Sequence, residues 1–277
     1  MGRAAEVERE IRRRLDAFPG EASLTVEALR PDGTAETWIS HRAEEVYPAA
    51  SLIKLPLLIA ALEAAERGEL PLDRAIAVGG ERTGGAGVVE HFRPGTLLTL
   101  ADLLFCMIAV SDNAAANHVL ALLDFAAVNE TATRLGLRKT VLRRRMMNAA
   151  ARTAGRENVT TAADSHSLLR QLVQPSLLSP SVAARALGIL ARQQIKLGGA
   201  TFLPDERVAH KTGDLEGIFH DVGIIDPGGP VPVVYAFLSA GVPNLGEASV
   251  VAGRIAELVA VAVPAAEVTG ERRAEEG

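Results

Sequence analysis

Cysteine is almost absent from this chain: Cys106 is the only one among 277 residues. No intramolecular disulfide can form, and no zinc site built on several cysteines is available. Cys106 lies inside the apolar run LLFCMIAV, where a buried, inert thiol is expected. An excess of positive charge is also lacking. The net charge is −5 and the pI near 5.8, which argues against nucleic acid as a partner. No apolar run reaches the roughly 18 residues of a membrane-spanning helix. The opening MGRAAEVEREIRRRLDAF is charged and helical in pattern, unlike a secretory signal. The chain as written is therefore expected in the cytoplasm, or outside it if a leader has been removed. His91, His118 and His166 have no metal-ligand spacing, and neither a metal nor a cofactor is expected. Internal repeats are absent.

What is present is the composition of a globular protein, 48% hydrophobic and 23% charged. A chain of this length buries a core without a staple. Residues 4–17 read as an amphipathic helix, 23–29 as a half-buried alternating strand, and 35–40 as its hairpin partner after the turn at Pro31-Asp32-Gly33. Helical patterns follow at 51–67, 99–109, 114–124, 127–135, 162–173 and 180–196. Strand patterns return at 208–213, 220–226 and 231–240, and 246–263 closes with helical spacing. Strands distant in sequence can then join one sheet, with the helical block inserted between them. The tail 271–277 is expected to be a solvated end.

Three short motifs carry chemistry: Ser51-Leu52-Ile53-Lys54, Ser111-Asp112-Asn113 and Lys211-Thr212-Gly213. One S-x-x-K is expected by chance in a chain this long, whereas S-D-N and K-T-G are each expected about 0.05 times. Ser51 falls at or just inside a helix N-terminus, where free backbone N–H groups and the helix dipole favour a developing alkoxide. Lys54, three residues on, shares its helix face. Desolvated beside other cations, that lysine can lose its charge and accept the serine proton. Ser111 ends an apolar helix on a loop that can point into a cleft, and Asp112 and Asn113 suit an Asx turn that starts the next helix. Gly213, at the end of a strand, permits close approach of a substrate backbone.

The three motifs together, in this order, resemble those of class A β-lactamases and penicillin-binding proteins. Supporting stretches are Gly85-Ala86-Gly87-Val88-Val89 with Pro94-Gly95 and Thr99, and Leu190-Ala191-Arg192-Gln193-Gln194 with Leu203-Pro204 and Val208-Ala209-His210. The resemblance covers roughly residues 20–265. It implies a two-lobed α/β fold of the α+β type. One lobe (1–47 and 205–277) is an antiparallel sheet flanked by the N- and C-terminal helices, and an inserted helical lobe (48–204) carries the nucleophile. It also implies roles. Ser51 attacks a β-lactam carbonyl, Lys54 is the base, Ser111 relays a proton to the leaving nitrogen, and Lys211 supplies positive charge near Ser111. Asn113 touches Lys54 and substrate, Thr212 binds a substrate carboxylate, and the backbone N–H groups of Ser51 and Asp214 form the oxyanion hole. His220 stands near where these enzymes carry a carboxylate-binding arginine. It either replaces that arginine or is a plain strand histidine.

One departure stands out. The resembled β-lactamases carry a deacylating glutamate four residues before an asparagine. With Asn148 as that asparagine, the position holds Arg144. Residues 131–156 contain no Asp or Glu but eight basic residues, which form either an anion-binding segment or a solvated face. Acylation through Lys54 is then expected, with slow deacylation. The leading expectation is a monomeric β-lactamase-like serine hydrolase acting on a small β-lactam or acyl-peptide substrate, with neither membrane nor nucleic acid as partner. A D,D-peptidase or acyltransferase, and a β-lactam sensor that stays acylated, are the rivals.

Overall fold

The structure is a computed structural model describing residues 3–80 and 82–263. The expected solvated tail, 271–277, lies outside the described residues. The chain opens with helix α1 (Arg3–Asp16), the hairpin of β1 (Glu21–Leu29) and β2 (Ala35–His41), and the short β3 (Tyr47–Pro48). A 3₁₀ turn, Ala50–Ile53, leads into α2 (Lys54–Glu66). Then come the hairpin strands β4 (Ala75–Val78) and β5 (Thr96–Thr99), α3 (Leu100–Ala109), α4 (Asn113–Arg134) and α5 (Ala149–Thr153). β6 (Val159–Thr160), α6 (Ala162–Val173) and α7 (Pro180–Leu190) complete the helical part. β7 (Val208–Leu215), β8 (Ile218–Ile225), β9 (Val233–Ala240) and α8 (Leu245–Ala262) follow.

The main sheet is antiparallel throughout in the order β2-β1-β9-β8-β7, so β7 lies at its edge. One face carries Leu24, Val26 and Phe237 against Ile11 of α1 and Ile255 and Val259 of α8. The other carries Val222, Ile224, Val234 and Leu238 into a second core with α2, α3 and α6. Covering both faces changes one expectation. Alternation predicts a half-buried β1, yet Ser23, Thr25 and Glu27 are buried as well, because the helical part lies over them. Ser23 Oγ is satisfied there by the carbonyl of Arg42, at 2.6 Å.

Side-chain caps set the helix starts. Thr99 and Asp102 form a capping box on α3, and Asp112, Thr161, Ser179 and Asn244 cap α4, α6, α7 and α8. The two helices expected over 114–135 are one span broken at Asp124, where φ is 69° and the side chain recaps Ala127 N. α7 stops at Leu190, short of the expected 196, because Gln193 and Gln194 leave the helix to bond the carbonyls of Ile108 and Ala109. α2 is apolar on every side and buried almost throughout, so it forms the axis of the helical part. Its N-terminal turn emerges beside the edge strand β7.

Candidate active site

The turn Ala50–Ile53 places Ser51 at the start of α2, half-buried, with Ala50 strained at φ +46°. Lys54, one turn on, is fully buried. Its Nζ lies 3.1 Å from Ser51 Oγ, 2.6 Å from the Ser111 carbonyl, 3.1 Å from Ser111 Oγ and 2.8 Å from Asn113 Oδ1. The carbonyl and the amide oxygen can only accept, so they claim two N–H bonds. A neutral amine then has its lone pair left for a hydroxyl of Ser51 or Ser111. Burial, and next the nearby Lys211, push the Lys54 pKa well below its ordinary value, so the neutral form is accessible.

Ser111 sits between α3 and α4 at φ +56°, which turns its hydroxyl into the cleft. Lys211 of β7 reaches that hydroxyl at 3.0 Å and the Thr212 carbonyl at 2.6 Å. Burial lowers the Lys211 pKa to about 7, opposed by Asp214 and Asp221. The four polar groups thus form one chain: Ser51 hydroxyl, Lys54 amine, Ser111 hydroxyl, Lys211 amine. Asn113 also donates from Nδ2 to the Gly84 carbonyl, and its backbone N–H donates to Ala86 O. Asp112 caps Ala115 N and accepts from Val88 N and Val89 N at 2.6 and 2.8 Å. A side chain at Gly87 would run into that carboxylate.

Gly213 of β7 abuts the turn that carries Ser51, and a Cβ there would sit 3.1 Å from Ser51 N. The strand is thereby close enough for its backbone to share an oxygen ligand with Ser51 N–H. Thr212 is buried beside Lys211, and Asp214 is exposed at the strand's end. His220 does not stand open to a ligand, which corrects the carboxylate-binding alternative. Its ring is fully buried, Nε2 lies 2.8 Å from the Pro48 carbonyl, and Nδ1 accepts from Ser239 N at 3.2 Å. Burial lowers its pKa to about 4, so it is neutral and ties β8 to the strand preceding Ser51. His210 points away from the cleft, as strand alternation requires, and pairs with Asp221 at 2.8 Å.

Arg144 is not turned towards Ser51 either. Its guanidinium pairs with Glu157 at 2.6 Å, and Arg152 meets the same carboxylate at 3.3 Å. Arg134 pairs with Glu63 and Lys139 with Glu44, so four of the eight basic residues are ion-paired locally, to three carboxylates. Sequence reasoning missed Asn117. Its amide brackets Met146, accepting from Met146 N at 2.8 Å and donating to Met146 O at 3.3 Å. Its spacing four residues after Asn113 was the available signal. Among the described residues no cluster of metal ligands occurs, and no helix is long and apolar enough to cross a membrane.

A family model for the beta-lactamase enzyme family matches residues 6–263. Among solved structures, a β-lactamase from Sphaerobacter thermophilus is similar at 28% identity and TM-score 0.79, covering 92% of this chain and 95% of that one. A leucine-to-glutamate mutant of PBP-A, in an acyl-enzyme complex with penicillin G, is 25% identical with TM-score 0.78, covering 93% and 96%. A double mutant of the class A β-lactamase of the last common ancestor of Gram-negative bacteria, bound to a nitrobenzotriazole transition-state analogue, is 26% identical. Its TM-score is 0.78, and the match covers 92% of this chain and 98% of that one. No curated protein matches the sequence. A match over nearly all described residues, joined to the serine–lysine cleft, makes the conclusion plain: the chain belongs to the beta-lactamase enzyme family and is a β-lactamase-type serine hydrolase.

Proposed function

We propose that Ser51 is the nucleophile of an acyl-transfer reaction on amides and β-lactams. The observation that carries this reading is the set of oxygens around Lys54 Nζ, which leaves a neutral amine one lone pair for a hydroxyl proton. Ser51 Oγ adds to the carbonyl carbon while its proton passes to Lys54. The oxygen of the tetrahedral intermediate is held by the N–H groups of Ser51 and Asp214. As the C–N bond breaks, Ser111 gives its proton to the departing nitrogen and regains one from Lys54, with the positive charge of Lys211 steadying the hydroxyl. Asn113 and Thr212 position the substrate.

The acyl-enzyme is proposed to outlive its formation. Among the described residues no carboxylate bonds Ser51 or Lys54, and Glu157 is held by two arginines. The same observation favours a second reading, a penicillin-recognising peptidase or acyltransferase, and the similarity to PBP-A supports it. Intact-mass spectrometry with excess penicillin G tests the common step. The whole penicillin mass is expected on the peptide containing Ser51. Lys54→Ala should slow labelling by about 10²-fold or more, and Lys54→Arg nearly as much, because a guanidinium keeps its proton. An adduct that persists in Ser51→Ala refutes the assignment.

A further inference from the structure

In the proposed reaction three bonds of the tetrahedral carbon have assigned directions. Ser51 Oγ takes one, the oxygen lies between Ser51 N and β7, and the departing nitrogen faces Ser111 and Lys211. The fourth bond carries the acyl chain away from β7 and Ser111, to the side bounded by Asn113 and the loops over 82–88 and 142–148. Asn113 donates to the Gly84 carbonyl at 3.1 Å, and a Cβ at Gly85 would sit 2.5 Å from Asn113 Nδ2 and 3.1 Å from Met147 Sδ. The two loops therefore meet at Asn113. Past that meeting point, beside Asn117 one helical turn on, lies a cavity of about 220 Å³ bounded by Arg82, Thr83 and residues 145–148.

Arg82 and Arg145 both line this cavity, and among the described residues no carboxylate does. Leu142, Arg144 and Met146 are buried while Arg143, Arg145 and Met147 are exposed, so Arg145 is turned away from the packing that locks Arg144 to Glu157. Asn158 and Asn117 hold the backbone on either side of it, at Arg144 N and Met146 N. The Arg145 side chain has no hydrogen bond or ion pair among the described residues. Arg82 is steered by a relay: its Nη1 donates to His91 Nδ1 at 3.1 Å, so that ring carries its proton on Nε2, 3.4 Å from Glu90 Oε1. The other Glu90 oxygen accepts from Thr83 N and Gly84 N at 2.7 and 2.6 Å. Glu90 is thus spent on its own loop, and the guanidinium of Arg145 is left to receive an anion with Arg82 beside it.

Resting on the acyl-transfer reading, we propose that Arg145, assisted by Arg82, sets acyl-group specificity: the preferred donors are amides and β-lactams whose acyl chain itself carries a carboxylate, a few bonds from the scissile carbonyl. A planar carboxylate matches the fork of a guanidinium, and a fixed loop holds that fork without the cost of ordering it on binding. Neutral acyl chains such as that of penicillin G still react at Ser51, without this contact.

Penicillins carrying a glutaryl or adipoyl side chain test this, each ending in a carboxylate or, as its size-matched partner, in a primary carboxamide. In each, Ser51 Oγ bonds the lactam carbonyl carbon, the C–N bond breaks, and the serine proton ends on the ring nitrogen, so the whole mass is added. Rates of adduct formation should favour the carboxylate over its carboxamide by about fivefold or more for at least one chain length. Arg145→Gln should bring that ratio to within about twofold, and Arg145→Glu should reverse it. Arg156→Gln removes an exposed charge from the same basic segment but not from the cavity, and should leave the ratio as it was. Equal rates at both chain lengths while penicillin G still adds to Ser51 overturn the proposal. So does a ratio unchanged in Arg145→Gln, or one that falls as far in Arg156→Gln, which would mean a diffuse field and no site. Failure of penicillin G and of all four analogues to add mass at Ser51 overturns the acyl-transfer reading, and this inference with it.

Discussion

Arg144 and Met146, two residues apart on one loop, divide the work that sequence spacing assigns to one position. Counting back four from Asn148 selects Arg144, but its side chain is only 9% exposed and locked to Glu157. A glutamate there would face Glu157 instead of solvent or substrate, and Asn158 would keep its hold on the backbone N–H of residue 144. Met146 is held differently. Asn117 grips its backbone from both sides, one helical turn beyond Asn113, whose Oδ1 is 2.8 Å from Lys54. The loop thus presents residue 146 to the face of α4 that serves the reaction centre. Stopped-flow mixing with a chromogenic cephalosporin should show a burst near one product per protein, then a slow phase. Met146→Glu should speed the slow phase by about tenfold or more. That is less than the ~10²–10⁴ of a well-placed base, because small misplacements cost rate steeply. Arg144→Glu should leave it slow and lower the melting temperature. Linear turnover from the first cycle, or a larger gain from Arg144→Glu, would sink this placement.

At the scale of elements, the start of α4 holds the cleft together. Asp112 gathers three backbone N–H groups, from Ala115, Val88 and Val89, and so fixes the loop over 84–89 onto the helix that carries Asn113. Asp112→Ala leaves those donors without a partner at a buried site, a loss of about 2–4 kcal/mol by the usual cost of a cap and of unmet donors. Chemical denaturation should show that loss, and amide exchange at Val88 and Val89 should quicken. Protection unchanged at those two amides would mean that the loop is held by other contacts. Most elements were legible because their signals are local: alternation over 231–240, helical spacing over 246–263, and Ser179 before Pro180. The three motifs were legible for the same reason. The two-residue pair β3–β6 and the hairpin β4–β5 were not, since strands this short carry no periodicity and exist through their partners. The choice between the two readings of His220 was not legible for a related cause. Strand alternation gives a side chain's face but not what covers it, and Pro48, 172 residues away in sequence, supplies that cover.

The molecule as a whole is two cores sharing one sheet, and two buried histidines lie along the seam with the helical part. His220 joins β8 to Pro48 just before the turn that carries Ser51, and its ring packs edge-on against Tyr47. His166 of α6 packs over β1 with Nε2 3.7 Å from the Glu27 carboxylate, and burial and then Arg170 lower its pKa to about 4. An unfolded imidazole takes up a proton near pH 6.5, whereas these two refuse it until about pH 4. Between those values the unfolded state binds more protons, so stability is full above the window and falls as pH falls through it. Each depressed histidine contributes a loss on the order of 2–3 kcal/mol across the window. Carboxylates with lowered pKa, such as Asp32, Glu45 and Asp102, titrate below their ordinary values and leave the upper part of the window to the histidines. Urea unfolding at intervals from about pH 7 to 4.5 should therefore show a steady loss of stability. His220→Gln should be less stable at neutral pH, where its backbone bonds are imperfectly replaced, but should lose less on acidification. Stability that stays flat from about pH 6.5 to 4.5 in the unmodified protein would mean that the seam opens enough for both rings to take their protons in the folded state.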